Sequence, residues 1–306
     1  MKVYCIIVTY NGMKWVERCL SSIRAGTYPM QVIVVDNLSS DSTVDYIKNH
    51  FSEVILIESG ANLGFGKANN IGIRRALSEG ADYVFLLNQD TWIMPSSIEA
   101  LVRVHDANKN FGIVSPMHIS SDEQSLEYKF KEYIQLPYCE GMVSDLFLGS
   151  LKPVYETQFV NAAAWLVSKN CLETVGGFDP LFPHYGEDVD YIKRAQFFGF
   201  KVGITPHSNI FHDSKFQTWP EIMWNKKRML TIYLSEIKSI GGTFRSSILV
   251  FLKRRFDDLT SHLLYRRFKL FAYHAGLTLK VLKQLSQISK ARKASLVKGA
   301  FLIGNQ

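Results

Sequence analysis

The 306-residue sequence has no run of apolar residues near the ~18 that a membrane-spanning helix needs. The short run Cys5–Val8 behind Lys2 has neither the length nor the small-residue cleavage site of a signal peptide, so a cytoplasmic chain is expected. Cysteine is scarce: Cys5, Cys19, Cys139 and Cys171 show no C-x-x-C spacing, which excludes a zinc ribbon or redox pair and leaves buried free thiols. Also missing are H-E-x-x-H, G-x-S-x-G, G-x-G-x-x-G and the Walker A pattern, which removes support for metalloprotease, serine-hydrolase and classical dinucleotide or P-loop chemistry. There is no internal repeat. With 47% hydrophobic and 21% charged residues, the chain is globular rather than disordered.

Acidic residues are nearly absent from one region only. Residues 1–220 hold 18 Lys and Arg against 24 Asp and Glu, whereas 221–306 hold 17 against 4. The net charge of +7 therefore divides into an acidic body and a strongly basic tail, with a composition boundary near Pro220.

Within the first 115 residues, short apolar runs alternate with helical patterns, the signature of βα units on a mostly parallel sheet. Val3–Val8, Gln31–Val35, Val54–Ile57, Tyr83–Leu87 and Gly112–Ser115 read as strands, and Ala164–Val167 as a further one. Residues 117–158 read as an irregular excursion with short edge strands, and a helix is expected from Glu187. Open α/β sheets bind ligands outside the carboxyl ends of their strands. That rule singles out Thr9-Tyr10-Asn11, Asp36-Asn37 and Asn88-Gln89-Asp90.

Each group has more than one reading. Asp36 suits either a capped turn or hydrogen bonds from a nucleobase or ribose. Asp90 either caps the helix opening near Pro95 or holds a divalent cation, for which Mg²⁺ or Mn²⁺ with a diphosphate is the natural setting. The glycines of 62–70 allow close backbone approach, and Lys67 either meets a phosphate or is a solvated helix-start lysine. Glu187-Asp188-Val189-Asp190 packs three carboxylates at a helix start, where Asp188 and Asp190 cannot face the same way. One of them is a candidate general base. His207 and His212 are loop histidines or metal ligands.

Taken in order, Val-Thr-Tyr-Asn at 8–11, Val-Val-Asp-Asn at 34–37, Asn-Leu-Gly-Phe-Gly-Lys-Ala-Asn-Asn at 62–70, Leu-Asn-Gln-Asp at 87–90 and Gly-Gly-Phe-Asp through Gly-Glu-Asp-Val-Asp at 176–190 resemble the inverting family-two glycosyltransferases of the GT-A fold, especially their bacterial rhamnosyltransferase-like branch. The likeness spans residues 1–215. It implies a catalytic domain over 1–219, with a nucleotide-sugar-binding half (1–115) and an acceptor half (116–219), followed by a basic helical region over 220–306. It further implies that Thr9, Tyr10, Asn11 and Asp36 surround the base and ribose, and that Asn62, Gly64, Lys67 and Asn69 belong to a loop closing over the donor. Asn88 and Asp90 would face the diphosphate, and Asp90 and His212 would hold Mg²⁺ or Mn²⁺. Asn88 replaces a carboxylate common in the family. Asp188 matches the base that deprotonates the acceptor, Glu187 would orient it, and Trp165 either stacks on the acceptor sugar or belongs to the core. Sugar transfer to a lipid-linked or oligosaccharide acceptor in surface-polysaccharide assembly is the expected activity. The rivals are a sugar nucleotidyltransferase and a nucleotide-sugar-binding module without turnover.

In the tail, Lys253-Arg254-Arg255, Arg266-Arg267 and Lys290-Ala-Arg292-Lys293 are interleaved with apolar residues, and His274, Thr278, Val281, Leu285 and Ile288 trace a helical stripe. A basic amphipathic helix suits an anionic membrane surface, which would place the chain peripherally on the inner face of the cell membrane. The stripe alternatively packs on the body or in a homo-oligomer. Nucleic acid is disfavoured, because no groove-reading motif accompanies the charge.

Overall fold

The computed structural model describes residues 1–215 and 218–302. Strands β1 (Val3–Thr9), β2 (Met30–Asp36), β3 (Ile55–Glu58) and β4 (Tyr83–Asn88) pair in parallel in the order β3-β2-β1-β4. Helices α1 (Val16–Arg24), α2 (Thr43–His50) and α3 (Phe65–Ser78) make the crossovers. α1 shows why the pattern folds this way: Val16, Cys19, Leu20 and Ile23 recur at helical spacing and all four are buried. The register sets Thr9 beside Asp36 and Val8 beside Asn88, so the sheet's carboxyl edge is even.

Beyond β4 the chain forms β5 (Thr91–Ile93), α4 (Ser97–Ala107), β6 (Phe111–Ser120), the short helices α5 (Phe130–Tyr133) and α6 (Met142–Phe147), β7 (Tyr155–Glu156), β8 (Ala164–Ser168), α7 (Lys169–Val175), α8 (Glu187–Phe197) and β9 (Lys201–His212). These strands extend the sheet to nine, ordered β3-β2-β1-β4-β8-β6-β9-β5 with β7 on β9. β8 enters antiparallel between β4 and β6, while β6 and β9 are parallel.

Two elements differ from the sequence expectation. β6 continues past Ser115 through Pro116 to Ser120, and β9 runs through Pro206 to His212, where loop positions were one reading of His207 and His212. The β6–β9 register jumps from Ser115↔Ile204 to Met117↔Asn209, so both prolines lie in the unpaired break, where a missing N–H leaves no partner unsatisfied. A proline therefore interrupts the pattern without ending the strand.

The carboxyl-terminal region is helical: α9 (Trp219–Trp224), α10 (Lys226–Lys238), α11 (Phe244–Leu264), α12 (Phe268–Leu282) and α13 (Leu285–Ala294). His274, Thr278, Val281 and Ile288 are buried, and Leu285 packs on the same cluster. The stripe marked for a membrane thus faces inward. It joins Met229, Tyr233, Leu234, Ile237 and Phe251 around Leu181 and Phe182 of the body, so apolar packing crosses residue 220. Full burial of side chains of this size is worth ~1.5–3 kcal/mol each, enough to hold the helices in place. Among the described residues no helix is long and apolar enough to cross a membrane.

Candidate active site

The even carboxyl edge opens into a cleft with two connected cavities that share Phe65, Asn88, His184, Tyr185 and Thr231. The donor-side cavity, of about 1000 Å³, is lined by Tyr10, Asn37, Asn62, Gly64, Asn88, Gln89 and Asp90 from the sheet side. Lys227, Leu230, Leu234 and Lys280 of the tail form its opposite wall.

Not every residue expected at the donor lines this space. Asp36 is buried and accepts from Thr9 Oγ1 at 2.9 Å, from Ser39 N at 2.9 Å and from the Ser39 hydroxyl. With those contacts Asp36 and Thr9 brace the β2 turn from beneath the cavity, and the neighbouring Asn37 takes the lining position. Asn11, at φ 48°, accepts Ser40 N–H at 2.8 Å and shapes the adjoining loop. Asn69 is buried and donates to Phe65 O at 3.0 Å, a bond internal to α3, so it offers a ligand nothing. Lys67 is exposed on α3 and lines neither cavity.

The glycines of the loop serve close approach by protein rather than by phosphate. Gly64 has φ +79°, and a Cβ there would lie 2.1 Å from Pro183 O, which accepts the Phe65 N–H at 3.0 Å. Asn70 then clamps the Phe178 backbone, donating to its carbonyl at 2.8 Å and accepting its N–H at 2.8 Å. The 62–70 loop is thereby tied to the segment leading into α8.

At the floor, the antiparallel pairing Thr91↔His212 brings Asp90 and His212 together, with Nε2 3.5 Å from Asp90 Oδ1. Asp213 N–H donates to Asp90 O at 2.9 Å and fixes this junction. Lys14 and Trp15 each donate to the Asp213 carboxylate, which pushes its pKa down to about 2. Asn88 Oδ1 and His212 Nδ1 are buried without a hydrogen-bond partner. The Asp90 carboxylate against the His212 imidazole, with the unpartnered Asn88 Oδ1 on the wall both cavities share, fits a divalent cation. His118, Glu127 and His212 also bring one ligand-type atom each to within 4.8 Å of one another, all three buried. Burial drives His118 well below the ordinary histidine range, so it is neutral and able to ligate. His118 and Glu127 were not foreseen. Glu127 is returned to the site by a turn in which its N–H donates to His118 O at 2.9 Å, a contact with no local sequence signature. His207 is exposed and lies away from the cleft.

The second cavity, of about 760 Å³, is lined by Tyr133, Asn161, Glu187, Asp188, His212 and Arg228 among others. Tyr185 and Gly186, at φ 67° and 80°, turn the chain into α8 and aim its first residues at the cavity. Asp188 accepts Val189 N–H at 2.7 Å. Burial pushes its carboxyl above the usual range, while the Val189 bond and the Arg228 charge pull part of that shift back. Glu187 is buried with Oε2 unpartnered, and burial together with the Asp188 charge raises it to about 8. Arg228, 4.5 Å from the Tyr185 ring centroid, brings a tail cation into this half.

Trp165 corrects one expectation. Its ring is fully buried on β8, stacked on Phe178 at 6.4 Å, and cannot reach a sugar. Both faces of β8 are covered, so an aromatic there is core.

A sheet of this order, with a metal-type junction after β4 and a paired carboxylate at the head of α8, defines the GT-A glycosyltransferase fold. The chain belongs to glycosyl transferase family 2, whose sequence profile it matches over residues 4–174. It is 28% identical over 216 residues to the dTDP-rhamnosyl transferase RfbF of Shigella flexneri, covering 69% of this chain and 68% of that protein. It is 27% identical over 239 residues to an N-acetylglucosaminyl-diphospho-decaprenol L-rhamnosyltransferase of Mycobacterium tuberculosis, covering 70% and 76%. S. aureus TarS 1–349 superposes with a TM-score of 0.57 at 16% identity, covering 97% of this chain and 83% of that one. Of a longer TarS chain this sequence spans 44%. GalNAc-T7, solved with UDP, GalNAc and Mn²⁺, has a TM-score of 0.57 at 14% identity, covering 86% and 58%.

Proposed function

We propose that the protein transfers a deoxyhexose of the rhamnose type from a nucleoside diphosphate to a hydroxyl of a lipid-linked saccharide, with inversion, in surface-polysaccharide assembly. The observation that carries this reading is the shared wall at Asn88 and Thr231: Asp90 lines the cavity on one side of it, and His212, Glu187 and Asp188 line the cavity on the other. The names of the two rhamnosyltransferase relatives support the sugar and, for the mycobacterial one, the lipid diphosphate.

In this mechanism Asp188 accepts the proton of the attacking hydroxyl, and its raised pKa makes it a stronger base than an exposed carboxylate. Glu187, largely protonated at neutral pH, donates a hydrogen bond to the acceptor or to Asp188. The hydroxyl oxygen then bonds to the anomeric carbon as the bond to the departing diphosphate breaks. No second carboxylate nucleophile is needed, unlike in a retaining glycosidase. Asp90 and His212, with Asn88 beside them, would hold a divalent cation that neutralises charge on the leaving diphosphate. Imidazole among the donors favours Mn²⁺ over Mg²⁺.

Membrane attachment falls to a different face from the one read in the sequence. Leu249, Leu252, Phe256 and Leu263 recur at helical spacing on α11 and all are exposed, while Phe251 and Arg255, outside this stripe, are buried. Lys253 and Arg254 are exposed among them. An apolar stripe edged by cations suits an anionic bilayer surface.

The deciding assay supplies dTDP-rhamnose and a GlcNAc-diphospho-prenol with Mn²⁺ and measures nucleoside diphosphate release. Acceptor-dependent release is the expected result. Donor binding without release from this or other donor–acceptor pairs would instead favour a binding module.

A further inference from the structure

The tail helices carry a cavity that the transfer chemistry does not use. Between α10 and α12 lies a groove of about 320 Å³, edged by Lys226, Lys227 and Lys280 and floored by Leu230, Tyr273 and Gly276. Among the described residues, Arg254 and Arg255 pair with Glu236 and Asp258, and no ion pair takes in these three lysines. No acidic residue follows Asp258 in the sequence, so α12 and α13 supply no counter-charge. The floor is held rigidly: Tyr273 Oη donates to Met223 O at 2.9 Å, and its ring lies 5.2 Å from that of Trp224. Gly276 keeps the groove open, because a Cβ built there meets nothing within 4 Å.

Three uncompensated cations over an apolar floor ask for an anion attached to a hydrocarbon. The groove is also continuous with the cleft, since Lys227, Leu230 and Lys280 line both it and the donor-side cavity. One turn along α10, Thr231 lines both halves of the cleft. An acceptor whose sugar sits at Asp188 can therefore lay its carrier across α10 and into the groove.

We propose that this groove binds the diphosphate and first isoprenoid units of a lipid-carried acceptor, with the lysines on the diphosphate and the Leu230–Tyr273–Gly276 floor under the chain. The proposal rests on the lipid-linked transferase reading and adds to it the part of the acceptor that no sugar contact would select. Charge on the diphosphate supplies attraction, and burial of each isoprene methylene supplies selectivity over inorganic anions.

The test uses the full chain and farnesyl diphosphate as the probe, with inorganic diphosphate and farnesol as separate arms, in titration calorimetry. Farnesyl diphosphate should bind at least about tenfold more tightly than either half alone. Gly276→Leu fills the groove and Lys226→Ala removes a cation at its edge. Neither position lines the cleft, so both variants should weaken farnesyl diphosphate by roughly tenfold while affinity for the nucleoside diphosphate alone, titrated separately, stays within about twofold. Unchanged farnesyl diphosphate affinity in both variants overturns the proposal, as does inorganic diphosphate binding equally well. Loss of nucleoside diphosphate affinity in either variant overturns it too, by making the groove part of the donor site. Binding is read without turnover, so failure of the transferase reading would leave the farnesyl diphosphate result intact, and the two failures are separable.

Discussion

Lys238 of α10 and Asp190 of α8 form a buried ion pair that joins the tail helices to the helix carrying Asp188. Lys238 also reaches Asp179 at 2.7 Å, and Asp190 is held from its other side by Arg194 at 2.9 Å. Arg194 in turn donates to Val175 O at 2.8 Å and Gly177 O at 2.6 Å. Burial raises Asp190, but the two cations more than offset this and hold it below the ordinary range. Removing one partner of such a cluster strands a buried charge, at a cost of about 3–5 kcal/mol. Lys238→Ala should lower stability by that amount in urea unfolding. Ending the chain at residue 219 should give insoluble protein, because Phe182 loses its cover and Asp190 loses one of its two cations.

Asp188→Asn should reduce kcat by at least about 10³-fold while leaving donor binding, read by calorimetry, within about twofold. In the unaltered enzyme kcat should climb with pH, with a midpoint above the usual carboxylate range, because the base must lose its proton. The apparent midpoint belongs to the Glu187–Asp188 pair jointly. Near-normal turnover in Asp188→Asn would remove this residue from the mechanism.

For the metal junction, His212→Ala should weaken Mn²⁺ binding by about 10–100-fold in an electron paramagnetic resonance titration, and chelator should abolish transfer in the parent protein. Asn88→Asp supplies the carboxylate missing at the end of β4 and should tighten Mn²⁺. A metal affinity unmoved by either change would place the cation elsewhere.

Glu187 links pH to stability in a predictable direction. Its folded pKa, about 8, lies above its ordinary value of 4.5, so the folded state holds the proton more tightly. The stability this confers is fully present below about 4.5 and is lost as pH rises through 8. Glu187→Gln, which cannot ionise, should therefore exceed the parent by a few kcal/mol at pH 8.5, with the gap shrinking toward zero near pH 4.5. Urea midpoints at the two pH values check it. A gap independent of pH would mean that Glu187 does not titrate in this range.

The α11 stripe predicts a salt- and lipid-dependent interaction. Leu249→Asp with Phe256→Asp should cut sedimentation with anionic vesicles by about tenfold or more, leaving turnover on a soluble acceptor unchanged. Neutral vesicles should bind the parent weakly, and equal binding to both would shift the weight from charge to insertion.

The parallel half of the sheet was legible because its strands are bounded apolar runs, and the residues just after β1, β2 and β4 do gather at one edge. What could not be read there was which member of a pair points outward: Asp36 and Asn37 are neighbours, and only the Thr9 and Ser39 contacts turn the first inward. Trp165 was equally undecidable, since a strand covered on both faces shows no polar alternation. The second half of the sheet was obscured by Pro116 and Pro206, each a strand-ending signal by itself and harmless only because the two coincide in a register break. His118 and Glu127 depend on a distant strand pairing for their meeting with His212. In the tail, periodicity found the correct apolar stripe and composition assigned it to the wrong neighbour, because a buried face and a lipid-facing one obey the same spacing.

All four cysteines are buried, and burial raises their thiol pKa values, that of Cys171 to about 12. Maleimides and methanethiosulfonates attack thiolates at accessible sulfur, so the native chain is its own silent background for such reagents. A single cysteine placed at Lys226, Gly276 or Phe256 can then carry a fluorophore or spin label without first building a cysteine-free protein. The edge of the groove, its floor and the exposed stripe of α11 become separately observable in one working protein.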